Sequence, residues 1–161
     1  MGDIRIVLDP IFLEGDFVFD PLIQDLESDA GLETAVIISL FTDRRANVDD
    51  VLPDVRSANR RGWWGDLASP EVEGDRIGSR LWLLERQATL ENIPARAKQY
   101  TEEALAWMVE DRIASRIVVS SERIGTIGTD VLALEIQIHK PDGNILPLAY
   151  ELQWQAQALR H

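Results

Sequence analysis

The hydrophobic period of this chain changes once, from helical to alternating, and nothing else in the sequence constrains its fold as much. Ile93, Ala97, Tyr100, Ala104, Trp107 and Met108 follow one another at steps of four, three, four and three, ending in a neighbour, opposite Arg96, Lys98, Glu102 and Glu103. That spacing, with a proline suited to the first turn, predicts an amphipathic helix from about Pro94 to Val109. From Ile117 onward the period is two. Ile117 to Ile124 reads as a strand, and Leu132, Leu134, Ile136 and Ile138 alternate with Ala133, Glu135 and Gln137 in a second. After the turn chemistry of Pro141-Asp142-Gly143-Asn144, Leu146, Leu148, Tyr150, Leu152 and Trp154 alternate with Pro147, Glu151 and Gln153. Residues 116–154 therefore predict an antiparallel meander with one wet face, and the helix stripe is its cover. Pro147 cannot donate to a ladder, so either its strand lies at an edge or Pro147 sits where its missing N–H faces solvent.

Upstream, Ile4, Ile6 and Leu8, then Phe17-Val18-Phe19 after Glu14-Gly15-Asp16, predict a short hairpin within an N-terminal arm, residues 1–27. Leu32, Val36 and Leu40 recur at helical spacing, and Ser28 or Asp29 can cap a helix that begins near Leu32 with Glu33 in its first turn; helix is the favoured reading, although the β-branched run Val36-Ile37-Ile38 would also suit a buried strand. Periodicity then vanishes over residues 43–76, where Asp, Asn, Pro, Gly and Arg dominate. A loop of that length is usually functional or disordered. Ser79 reads as the cap of a short helix carrying Leu81, Trp82, Leu83 and Leu84. The expected architecture over residues 1–161 is a single α+β domain: a C-terminal β-meander packed on an amphipathic helix, with an N-terminal β-hairpin and a long central loop.

Composition removes whole classes of chemistry. There is no cysteine, which excludes disulfides, thiolate nucleophiles and cysteine-ligated metals. Sixteen Lys plus Arg against 28 Asp plus Glu give 16 − 28 = −12. Up to Asp54 the balance is 3 − 13 = −10. A field of that sign repels phosphate backbones and anionic lipid, so neither nucleic acid nor a membrane is an expected partner. The apolar run Ala35 to Phe41 is far shorter than the roughly 18 residues a bilayer span needs. The charged N-terminus lacks the apolar block of a signal peptide, so the expected place of synthesis and residence is the cytoplasm.

Histidine is confined to His139 and His161, which leaves no histidine-based triad. The serines lack a Gly-x-Ser-x-Gly frame, and Gly125-Thr126-Ile127-Gly128 joins two strands without opening a helix, so it reads as a turn and not a phosphate loop. Asp66 with Glu85 or Glu110 could supply the two carboxylates of a glycosidase, but an acidic surface produces such pairs by chance; Asp49, Asp50 and Asp54 could face a hard cation, but a solvated acidic loop is the better reading. The expectation is no catalytic residue, no metal site and no cofactor. The most informative segment is Arg60-Arg61-Gly62-Trp63-Trp64-Gly65-Asp66. Adjacent tryptophans cannot share one helical stripe or strand face. Arg60, Arg61, Trp63, Trp64 and Asp66 thus form a candidate partner interface, with core capping by both indoles as the competing reading.

Five segments, taken in order, resemble the baseplate proteins of Mu-like contractile-tailed phages and prophages: Thr34 to Arg45, Arg61 to Asp66, Gly78 to Leu84, Glu103 to Asp111 and Ile138 to Gly143. That family is distantly similar to the contractile-tail wedge protein once labelled lysozyme-like. The wider family's Thr-x-x-Gly-Glu-Arg and Glu-Pro-Arg-Ile stretches fall on Thr42-Asp43-Arg44-Arg45-Ala46 and Glu110-Asp111-Arg112-Ile113, without the glycine and the proline. The resemblance implies a structural subunit of the tail baseplate, made in the host cytoplasm and bound to other tail proteins, especially a larger wedge subunit. A homo-oligomer of the isolated chain is compatible with it. The rival readings are a muramidase-like cell-wall hydrolase and an unrelated small protein-binding module.

Overall fold

A computed structural model describes residues 5–8, 15–18, 28–54, 56–63, 77–84, 92–125 and 131–153. Along them run β1 (Arg5–Leu8), β2 (Gly15–Val18), α1 (Ser28–Phe41), a 3-10 turn (Leu81–Leu84), α2 (Ile93–Glu110), β3 (Arg116–Ile124), β4 (Val131–His139) and β5 (Ile145–Gln153). The α+β class and the C-terminal meander are as the periodicity requires. Strands β3, β4 and β5 pair antiparallel in that order, so β5 with its Pro147 is an edge strand. β1 and β2 form the N-terminal hairpin, and β1 lies against α1.

Register explains the core. Val119, Ile136 and Leu148 sit side by side across the three strands, and Ile117, Ile138 and Leu146 form the neighbouring row. Leu134, Ile136 and Ile138 are fully buried because β4 is central and α2 covers it together with β3. From α2, Ile93, Ala97, Tyr100, Thr101, Ala104, Leu105 and Met108 are buried. Each large aliphatic side chain removed from water in this layer contributes about 1.5–3 kcal/mol. Pro94 occupies the first turn of α2, and past its end Arg112 turns left-handed (φ 62°), so the Ala114 amide reaches back to the Met108 carbonyl at 2.9 Å. The Ser115 amide then meets the His139 carbonyl at 2.8 Å, and the sheet begins.

Two expectations need correction. α1 starts at Ser28, four residues before Leu32, so its first turn lies ahead of the apolar spacing; Asp29 stands in that turn, where a carboxylate suits a helix N-terminus, and accepts a hydrogen bond from Lys140 at 2.6 Å. Trp107 is only half-buried, and Thr101 and Leu105 replace it at the centre of the stripe. The Trp107 indole lies at the margin, donating to Ser39 Oγ of α1 at 3.1 Å. Phe41 of α1 meets Tyr150 of β5 edge-on at 5.6 Å between centroids, and burial, with Glu33 as a lesser cause, pushes the Tyr150 hydroxyl up.

Candidate functional site

The central loop leaves α1 at Thr42, where a helix has carbonyls without helical partners. Ser79 supplies them. Its hydroxyl donates to the Leu40 carbonyl, its amide donates to the Thr42 carbonyl at 2.9 Å, and its own carbonyl accepts the Arg44 amide at 2.9 Å. Gly78 allows this approach: its φ is +98°, and a Cβ there would stand 2.3 Å from the Thr42 carbonyl oxygen. The Ser79 hydroxyl oxygen also accepts the Leu81 amide at 3.2 Å, which is the capping role expected from the sequence.

This clamp carries Arg80 into the interior at 8% exposure. Its Nη1 contacts both Asp50 carboxylate oxygens at 2.9 and 3.0 Å, its Nη2 donates to Glu103 Oε2 at 2.5 Å, and its guanidinium lies 4.6 Å from the centroid of the Tyr100 ring. Burial disfavours the Arg80 charge, but the hydrogen bonds it donates to Glu103 and Asp50, with their negative charges, outweigh that and hold the group above its ordinary value. Burial, then the Asp50 charge, likewise pushes the Tyr100 hydroxyl up. Arg80 fastens the loop, through Asp50, to α2, through Glu103. Arg80 went unrecognised in the sequence, although an arginine directly before Leu-Trp-Leu-Leu is a charge carried into a core, where it needs partners.

Within the loop, Asp50 accepts the Asn47 amide at 2.7 Å, and Arg60 donates to the carbonyls of Asn47 and Val48, the latter at 3.0 Å. The Ala46 amide reaches the Arg60 carbonyl at 3.0 Å. Arg61 adopts φ 49°, pairs with Asp43 at 2.9 Å and lies 4.6 Å above the Trp82 ring, whose indole donates to the Arg44 carbonyl at 2.8 Å. Gly62 follows at φ +111°, where a Cβ would come within 2.9 Å of Arg45 Cβ. Both arginines of the candidate interface are thus engaged in shaping the loop. Three large apolar side chains stand outward on the shaped loop, Val48 at 90%, Val51 at 66% and Trp63 at 41% exposure, among exposed polar neighbours that include Asn47, Asp49, Asp54 and Arg56.

Trp64 and Asp66 lie outside the described residues, as does Glu85. Glu110 is exposed at the end of α2. Of the three loop aspartates, Asp49 and Asp54 are exposed, whereas Asp50 belongs to Arg80 and is no part of a solvated set. Among the described residues no three His, Asp or Glu side chains come together as metal ligands, and no helix is long and apolar enough to cross a membrane. His139 closes β4 with its ring beside Arg116, at 3.2 Å.

Residues 32–145 match the family described as Phage protein GP46. The chain is 41% identical over 137 residues to the baseplate protein gp46 of Escherichia phage Mu, covering 85% of this chain and 88% of the relative. It is 34% identical over 143 residues to the Mu-like prophage FluMu protein gp46 of Haemophilus influenzae, covering 88% and 90%. The chain belongs to the Phage protein GP46 family.

Proposed function

We propose that this protein is a structural subunit of the tail baseplate of a Mu-like contractile phage or prophage, acting in wedge assembly through contacts with other baseplate proteins, a larger wedge subunit above all. The observation that carries the reading is the match, along most of both chains, to a relative named as a baseplate protein. The central loop supports it. Its conformation is set in advance by Arg80, Arg60 and Arg61, and ordering a contact surface before binding lowers the entropy lost on association. In this reading Trp63, with Trp64 beside it in sequence, provides the anchor, Val48 and Val51 widen the contact, and Arg60 and Arg61 position it. The protein works without turnover, first in the host cytoplasm and then in the tail.

Two assays test this together. Tails purified from a producing strain should contain the chain in their baseplates, and a strain lacking it should yield no complete tails. The purified chain should leave peptidoglycan intact; clearing that disappears on Asp66→Asn or Glu110→Gln, with folding preserved, would overturn the structural reading.

A further inference from the structure

The second open surface is the face of the β3–β4–β5 sheet turned away from α2. Because side chains alternate along a strand, the residues between the buried ones share this face, and those of β3 and β5 are exposed throughout their described length. Its floor is largely small or apolar: Ala133 lies near the centre, with exposed Val118 toward one end and Ile124 toward the other. Ala133 pairs in register with both Glu122 and Glu151, so two carboxylates flank one alanine, and Glu135 stands two residues further along β4. Strands are about 4.8 Å apart, which confines the three acids to within about 10 Å of one another. No arginine or lysine shares their rows, and Arg116, the base on this face, lies at its far end beside His139.

Glu122 and Glu151, two strands apart, and Glu135 are not direct cross-strand pairs, but three carboxylates this near on one face raise a common negative potential that a partner cation relieves. We propose that this face docks a basic, amphipathic segment of another baseplate subunit, an arginine- or lysine-bearing stripe whose apolar side chains lie on the Val118 and Ile124 shoulders. A second copy of this chain does not fit, since it would set three carboxylates against three on molecules that each carry −12. The inference rests on the assembly reading and names the partner's chemistry.

The test co-expresses the full chain in turn with each of the other baseplate proteins of the same phage, then measures affinity for whichever forms a complex. Glu122→Gln with Glu151→Gln should weaken that complex about tenfold at roughly 0.1 M salt while leaving the denaturation midpoint unchanged or raised, and reversal of both to arginine should abolish it. Raising salt to about 1 M, where the screening length falls to about 3 Å, should weaken the wild-type complex in the same direction. A wild-type complex indifferent to the variants or to salt overturns the docking face alone. A homodimer dissolved by the variants overturns the choice of partner. No complex with any wild-type combination overturns the assembly reading and the face with it.

Discussion

At the scale of single residues, Arg80 and Gly78 carry more of the loop than the tryptophans that first draw the eye. Arg80→Met leaves Asp50 and Glu103 side by side without their cation, and breaking a buried pair in this way costs about 3–5 kcal/mol. The lower end applies because Glu103 is a third exposed, so a denaturation series should show a loss near 3 kcal/mol. Arg80→Lys should recover only part of it, since one ammonium cannot hold two carboxylates in the guanidinium's fork. Gly78→Ala forces a Cβ against the Thr42 carbonyl at positive φ, a conformation that by itself costs about 1–3 kcal/mol, and its midpoint should fall at least that far. A titration gives a further check. Asn144, through its backbone and side chain, holds the Asp142 carboxyl below its ordinary range, so the folded state binds that proton less readily than the unfolded chain. The stability involved is present above the ordinary aspartate range and is lost as pH falls through the lowered value. Asp142→Asn should flatten that acid limb in a pH series.

Among the elements, period was a sufficient guide wherever one face meets the core. The turn from helical to alternating spacing located α2 and all three strands of the meander, and the edge place of β5 is one of the two that Pro147 allows. Legibility ended where charge decides. The first turn of α1 has no apolar spacing to read, and the Lys140 that meets its Asp29 is far away in sequence. The loop is shaped by arginine contacts to carbonyls and carboxylates that no local pattern announces, so its tryptophans were visible while their scaffold was not. For α2 the structure reorders the expected costs. Leu105→Ala, at a fully buried position, should lose about 2–5 kcal/mol, whereas Trp107→Ala, half-buried, should fall below the about 3–5 kcal/mol typical of a buried aromatic. Trp107→Phe should cost about 1 kcal/mol through the lost bond to Ser39. Urea midpoints of the three variants give the ranking.

For the whole molecule, a net charge of −12 and a loop shaped by Arg80, Arg60 and Arg61 that carries exposed Val48, Val51 and Trp63 are the features that support the proposed assembly role. In that proposal the charge disfavours phosphate backbones, and the loop offers a partner a surface ordered before binding. The most direct measurement of that account pairs stability with binding in one variant, Trp63→Ala, alongside Val48→Asp. Substitution of an exposed loop residue shifts stability by less than about 0.5 kcal/mol, while truncating an interface anchor costs at least about 2 kcal/mol of binding, roughly a thirtyfold loss of affinity. The account predicts unfolding midpoints close to wild type for both variants together with failure to co-purify with the baseplate partner. Early unfolding of both, with partner binding unchanged in the fraction that folds, would contradict it and make the loop part of the core.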